Sequence, residues 1–195
     1  MLPVVMKSIN GNIVRVSSNE ITEDWIIKDY IIPIPEEIQE ALQNEKLVPK
    51  KLKEATKTKI TFAAKIVDGK VVPVQDAVLF TYLPTKVNDF GFKFLVNADF
   101  LTTASRESIH FKNIWNRFLF GKIGALLVDW VKSLAEYDGA LCLLPKEKYD
   151  GENLLTLDFY NSFQKSASEL DFIKGQNGNP ATQDRIMIDR SDLSK

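Results

Sequence analysis

The sequence predicts an α+β domain with a mixed sheet and helices packed on one face, and three observations predict it. Apolar residues alternate with polar ones in short runs near the N-terminus, which indicates strands. A second pair of such runs flanks the turn VDGK, which indicates a hairpin. A long stretch with apolar residues at helical spacing comes later. The order, mostly strands and then helices, favours a sheet layer covered by helices.

The first third of the chain is predicted to contain two strands and two helices. NIVRVSS alternates and reads as a strand, and WIIKDYIIPIP follows it. Because Pro33 and Pro35 interrupt the second run, an edge strand or an extended segment is expected there. PEEIQEALQNE has an acidic first turn and one apolar face, which predicts a helix. VPKKLKEATK is expected to add a short helical piece.

A hairpin and a further strand are predicted next. TKITFAAKI pairs with VVPVQDAVLFTYL across Asp68 and Gly69, and Pro73 predicts an edge position or a break in the second run. GFKFLVNADF is predicted as a strand with Phe92, Phe94 and Val96 on one face.

The second half is predicted to be helical. A broad apolar stripe predicts a helix over Phe111–Tyr137, ended by the Asp-Gly pair that follows. Gly121 and Gly124 within it either weaken the helix or allow close packing on a neighbour. Another helix is expected over Leu155–Ile173, and RIMIDRS is a candidate final strand. The expected core residues are Trp115, Phe118, Trp130 and Cys142.

Composition excludes several functional classes. The 195 residues carry a formal net charge of -1, so no global field attracts nucleic acid or an anionic membrane. No apolar run reaches the length of a membrane span. The chain has one cysteine and one histidine, so zinc sites of the usual kind cannot form, and the free thiol suits a reducing cytosol. Neither GxxxxGK[ST], GxGxxG nor GxSxG occurs.

The predicted domain organisation is one domain over residues 1–174, followed by a loop and the start of a further, truncated unit over residues 175–195. No linker composition marks a firmer boundary. Composition and periodicity alone therefore define an α+β domain and no activity.

A resemblance to a known family rests on residues 79–123. LFTYLPT is followed by GFKFLVNADFLTTASRESI, and WN opens the long helix. This succession resembles the middle, or transducer, domain of GHKL-type ATPases, as in the ninety-kilodalton heat-shock chaperones and bacterial sacsin-like ATP-binding proteins. In those chaperones a strand leads into a polar Ser-Arg-Glu loop and then a helix. Ser105, Arg106 and Glu107 match that triplet here.

The resemblance implies a role in ATP hydrolysis that the chain cannot perform alone. GHKL ATPases bind ATP and magnesium in an N-terminal domain through an Asn-bearing helix and a DxGxG loop, and neither motif occurs here. The resemblance therefore implies a transducer-like βαβ domain from a longer cytoplasmic protein, and whether Met1 is its natural start stays open. Arg106 is the candidate catalytic residue, aimed at the γ-phosphate. Ser105, Glu107 and Lys112 are the candidate cofactor-binding residues.

Two alternatives stay open on the same residues. An arginine beside a glutamate in a turn is commonly a surface residue or a partner in a weak ion pair. The chain is alternatively a non-catalytic interaction module for a client or partner protein, with WIIKDYII and FLFGKIGALLVDW as its apolar surfaces.

Overall fold

The computed structural model describes residues 6–10, 13–17, 21–45, 48–87, 90–145, 153–169, 173–174 and 180–181. The eight strands of the main sheet precede the two longest helices, which confirms the α+β class. The helices are α1 (Glu36–Asn44), α2 (Lys50–Lys53), α3 (Ile114–Ser133) and α4 (Leu154–Glu169), with a 3-10 helix at Ala140–Leu143. The strands are β1 (Met6–Asn10), β2 (Ile13–Ser17), β3 (Thr22–Pro33), β4 (Lys57–Val67), β5 (Lys70–Val72), β6 (Leu79–Thr81), β7 (Leu83–Pro84), β8 (Leu95–Asn97), β9 (Ile173–Lys174) and β10 (Pro180–Ala181).

Most of the described strands form one mixed sheet. Its order is β1-β2-β3-β4-β8-β6-β7, and β5 pairs with the far end of β4. Neighbours are antiparallel except β6 and β8, which run parallel. The connection between these parallel strands carries β7 and, in its described residues, no helix. β9 and β10 form a separate two-stranded ribbon.

The prediction that WIIKDYIIPIP is an edge strand or an extended segment is confirmed for most of its length. β3 is the longest described strand, and β4 pairs with it from Asp24 to Pro33, whereas β2 pairs only with residues 22–26. Among the described residues, Ile27–Pro33 therefore have a strand partner on one side only. Pro33 is tolerated because it is the last residue of the strand, and Pro35 lies beyond it as the N-cap of α1. The prolines therefore mark where the strand ends and where the helix begins.

The hairpin across Asp68 and Gly69 is confirmed, and Pro73 ends its second strand. β5 stops at Val72. The predicted run therefore divides, and its second part becomes β6, which pairs with β8 instead of β4. This division brings LFTYLPT next to NADF.

Helices cover one face of the sheet. Alternate residues of β4 are buried, whereas those between them are partly buried or exposed. The buried ring of Phe62 lies 4.9 Å from Trp130 of α3 and 5.2 Å from Phe94, between ring centres. Trp115 and Trp130 are fully buried, as predicted, and Phe118 and Cys142 are partly buried. Burying each large aromatic side chain contributes roughly 2–3 kcal/mol.

α3 and α4 cross in close contact at Gly124. A Cβ on that residue would lie 2.1 Å from the carbonyl oxygen of Phe159. Gly121 is less constrained, since a Cβ there would lie 3.4 Å from Ser162 Oγ. Of the two interpretations of these glycines, close packing on a neighbour applies to Gly124.

The C-terminal predictions fall largely outside the described residues. This applies to RIMIDRS and to the proposed unit at residues 175–195, of which only Pro180–Ala181 is described. None of the described helices combines the length and apolar character that a bilayer-spanning segment needs.

Candidate functional site

The Ser-Arg-Glu triplet lies at the tip of a tight loop, residues 102–109, which we call the Arg106 loop. Thr102 and Ile109 close it through an isolated antiparallel bridge. The Thr103 amide donates to the Ser108 carbonyl oxygen at 3.0 Å. The loop is therefore a short hairpin whose tip carries Ser105, Arg106 and Glu107.

The backbone of Arg106 is strained and fixed. Its φ is +58°, in the left-handed region. Its amide donates to the Thr103 carbonyl oxygen, and its own carbonyl oxygen accepts from the Lys86 amide, each at 2.9 Å. A non-glycine residue in this conformation costs about 1–2 kcal/mol and persists only where neighbours enforce it. Two hydrogen bonds to different segments enforce it here.

The guanidinium of Arg106 has no ion pair or hydrogen bond within the described part of the chain. Its neighbour Glu107 is instead engaged by Lys86, with 2.5 Å between Nζ and Oε1. The hydrogen bond from Lys86, together with its charge, lowers the pKa of the Glu107 carboxyl from its ordinary value. The weak Arg106–Glu107 ion pair considered from sequence therefore does not form.

The other two candidate residues are placed differently. Ser105 is exposed beside Arg106, and its hydroxyl lies 3.3 Å from that of Thr103. Lys112 is exposed in the turn that precedes α3. No hydrogen bond or ion pair among the described residues joins Lys112 to the Arg106 loop. The structure therefore brings together three of the four predicted site residues on the Arg106 loop, and Lys112 lies outside that loop.

The WN pair at the start of α3 anchors the loop to the core. Asn116 is fully buried and accepts from the Leu101 amide at 2.9 Å. Its Nδ2 donates to the carbonyl oxygens of Leu101 and His110 at 2.8 and 3.1 Å. The Trp115 indole donates to the Asp99 carbonyl oxygen at 2.7 Å. Two side chains of one helical turn thus fix both ends of the loop.

α3 itself starts beyond the loop and is capped by Asn113. The Asn113 side chain accepts from the Trp115 amide at 2.9 Å. The sequence leaves open whether Asn97, Thr102, Thr103 and Ser105 cap the helix or line the loop. The structure puts Thr102, Thr103 and Ser105 in the Arg106 loop, whereas Asn97 ends β8 and accepts from the Tyr82 amide. The first helical residue is Ile114, so the helix terminus lies past Lys112.

The LFTYLPT tract supports the loop from the other side. Its turn at Tyr82 has φ +66°, and the Tyr82 amide donates to the Asn97 side chain at 3.1 Å. Thr85 is buried, and its hydroxyl donates to the Leu79 carbonyl oxygen at 2.8 Å and accepts from the Val87 amide at 3.1 Å. The three segments of the resemblance, LPT, NADF and SRE, therefore form one contiguous corner.

Sequence reasoning missed two residues of this corner. Lys86 contacts the loop through both its amide and its side chain, yet nothing local distinguishes it from a solvated lysine. Asn116 was noted only within WN. A polar residue at an otherwise apolar helical position was the available indication, because buried amides require partners.

The fold and the corner define the chain as an α+β domain that presents a fixed arginine. Among the described residues, no group of three or more His, Cys, Asp or Glu side chains lies close enough to hold a metal ion. The arrangement provides a cation for an anionic ligand, and the loop that carries this cation is rigidly attached to the helical layer.

Comparisons with known proteins give one distant relative of this chain. Protein NO VEIN of Arabidopsis thaliana is 28% identical over 131 residues, which is 64% of this chain and 4% of that protein. The chain thus spans a small fraction of the relative's length. No family model matches the sequence, and no solved structure matches it.

Proposed function

We propose that this chain is the transducer domain of a GHKL-type, heat-shock-chaperone-like ATPase. In this proposal Arg106 faces the γ-phosphate of ATP, which is held with magnesium by a nucleotide-binding domain elsewhere in the protein. The observation that carries the proposal is the guanidinium of Arg106, held on a strained loop and without an ion pair among the described residues. That NO VEIN is far longer than the matched region is consistent with a module of a larger polypeptide.

The chemistry suits an arginine held in this way. Bound ATP supplies the phosphoryl group that is transferred to water. Negative charge spreads over its oxygens in the transition state, and a prepositioned cation lowers the barrier without reorganising. An arginine side chain is a permanent cation and offers two parallel donors to phosphate oxygens. Its fixed backbone removes part of the entropy cost of aiming those donors.

The corner also provides a physical route for passing nucleotide state onward. Asn116 and Trp115 join the Arg106 loop to the first turn of α3. α3 in turn packs along α4 and against the sheet. A displacement of the loop by a docked nucleotide-binding domain would therefore act on the helical layer as a unit.

The test is Arg106→Ala in the natural protein that includes the nucleotide-binding domain. Turnover of ATP is expected to fall by roughly 10³-fold, the size of contribution seen for arginines that contact the transferred phosphoryl group. ATP affinity is expected to change little, because the interaction strengthens mainly in the transition state. Steady-state hydrolysis and equilibrium nucleotide binding measure the two quantities.

Lys132→Ala is the matched control. Lys132 is an exposed cation in the last turn of α3, at the opposite end of the helix from the loop. Its removal changes net charge equally and should leave turnover within twofold of the unaltered protein. Unchanged turnover in Arg106→Ala would refute the catalytic role, and micromolar ATP binding by the 195-residue chain alone would refute the assignment of nucleotide binding to another domain.

A second candidate function, a non-catalytic interaction module, is supported by one exposed sheet face. The α3 segment FLFGKIGALLVDW contributes mainly buried residues, so it offers little surface. On β3, however, Ile27 and Ile31 remain 38% and 59% exposed. If this face carries the function, Ile31→Lys would abolish self-association or partner binding in light scattering while Arg106→Ala would not.

A further inference from the structure

Lys86 combines a fixed backbone with an exposed side chain. Its neighbours Thr85 and Val87 are both buried, and the Thr85 hydroxyl bridges Leu79 and Val87. The Leu79 amide donates to the Val87 carbonyl oxygen at 2.9 Å. The position of Lys86 is therefore set by the sheet and does not depend on its own side chain.

From this fixed position Lys86 makes two contacts with the Arg106 loop. Its amide donates to the Arg106 carbonyl oxygen at 2.9 Å. Its ammonium group contacts the Glu107 carboxylate at 2.5 Å. The first contact supports the left-handed backbone of Arg106, and the second engages the acidic group closest to Arg106 in the chain.

We propose that Lys86 is a positioning residue for Arg106: its amide holds the loop conformation, and its ammonium group draws Glu107 away, so that the guanidinium stays available to a phosphate ligand. This inference rests on the proposed function, because it assigns Arg106 a phosphate ligand. Without the ammonium group, the flexible Glu107 carboxylate competes with phosphate for the neighbouring guanidinium, as adjacent opposite charges attract.

The expected effect is modest, since both partners are exposed. The side chains of Lys86 and Glu107 are 73% and 55% exposed, and pairs of this kind are weakened by solvent and salt. A change of about 2- to 5-fold in phosphate affinity is therefore expected at low ionic strength. The backbone hydrogen bond is unaffected by a side-chain substitution.

The experiment uses the 195-residue chain and sodium pyrophosphate as the probe. Binding is followed by the NMR resonance of the Arg106 side-chain Nε–H group. Lys86→Met is expected to weaken pyrophosphate binding about 2- to 5-fold. Lys86→Arg, which keeps the cation, should bind like the unaltered chain. Adding Glu107→Gln to Lys86→Met should restore affinity, because the competing carboxylate is gone.

A charge-matched control separates competition from net charge. Lys86→Met with Glu136→Gln has the same net charge as Lys86→Met with Glu107→Gln, but the removed carboxylate is exposed near the far end of α3. This control should stay as weak as Lys86→Met alone. Equal recovery in the two double variants, unaltered affinity in Lys86→Met, or no response of Arg106 to pyrophosphate would each overturn the proposal.

Failure of this inference is distinguishable from failure of the proposed function. If Arg106→Ala abolishes ATP turnover while Lys86→Met leaves pyrophosphate binding unchanged, only the role of Lys86 is refuted. If the pyrophosphate series behaves as expected while Arg106→Ala hydrolyses ATP normally, the ATPase role is refuted and the positioning role of Lys86 is retained.

Discussion

The α3–α4 layer and the Arg106 loop are held in place by different forces. Where α3 crosses α4, the backbones approach so closely that Gly124 has no room for a Cβ, and the surrounding side chains are apolar. The Arg106 loop contributes little apolar burial at its tip. Hydrogen bonds from Lys86, Thr103 and Asn116 fix it instead.

The difference shows that the stability of this domain and the orientation of its charged group come from different regions. Apolar packing is non-directional and supplies most of the free energy of folding. Hydrogen bonds contribute about 1 kcal/mol each but specify direction. The helical layer therefore provides the support, and the polar corner orients a single charged group on it. Substitutions in the two regions should separate these roles.

The largest stability effect is expected from Gly124→Ala in the packed layer. The added Cβ would lie 2.1 Å from the Phe159 carbonyl oxygen, so the helices must separate. Overpacking of this kind costs about 3 kcal/mol, and for a chain of this size each kcal/mol lowers Tm by roughly 2–4 °C. Calorimetry or urea unfolding measures the change.

Gly121→Ala is the matched control on the same helix. Its Cβ would lie 3.4 Å from Ser162 Oγ, an ordinary contact. Replacing a helical glycine by alanine then stabilises by about 0.5–1 kcal/mol. If both variants behaved alike, close packing at Gly124 would not be what limits this interface.

A smaller loss is expected from Asn116→Ala, which removes the link between the two regions. The substitution leaves the amide and carbonyl of Leu101 and the carbonyl of His110 without this partner, at a buried position. The expected cost is about 2 kcal/mol. Faster hydrogen exchange at the Leu101 amide would report the loss of these hydrogen bonds locally.

Asn113→Ala provides the comparison for that variant. It removes the N-cap of the same helix, at a cost of about 1 kcal/mol, without touching the Asn116 bonds to the loop. Loop exchange rates should therefore respond to Asn116→Ala and not to Asn113→Ala. Equal responses would mean that helix capping, and not the Asn116 side chain, holds the loop.

The two regions also differ in how far the sequence predicts them. The apolar periodicity of α3 repeats over several turns, so the helix and most of its buried face were predicted correctly. Its bounds were not, because the helix spans Ile114–Ser133 and ends before the Asp-Gly pair that was expected to end it. The pairing of β3 was predicted only in part, because its prolines indicate an edge or an end but not that β2 pairs with its first five residues.

For the candidate site, the triplet at Arg106 was found through resemblance, but its surroundings were not. Lys86 lies 20 positions earlier in the chain, and its contacts exist only because β6 pairs with β8. The left-handed backbone of Arg106 likewise has no sequence signature, since arginine carries no preference for it. Such contacts depend on tertiary pairing and are invisible to local patterns.

The smallest expected effect, and the sharpest test of the corner, comes from comparing Arg106→Gly with Arg106→Ala. Both remove the guanidinium, but only glycine relieves the strain at φ +58°. After allowing for the extra freedom of glycine in the unfolded chain, Arg106→Gly should be more stable than Arg106→Ala by about 0.5–1 kcal/mol. Urea unfolding of the two variants measures the difference.

A positive difference would mean that the loop keeps arginine at a position where glycine is more stable. Strain retained at a fixed turn is expected where the side chain has a task that stability does not explain. Equal stabilities would mean that residue 106 relaxes out of the left-handed conformation in solution. The hydrogen bonds from Lys86 and to Thr103 would then not fix the direction of the guanidinium. The proposed division between a helical layer that stabilises the domain and a polar corner that orients Arg106 would be refuted.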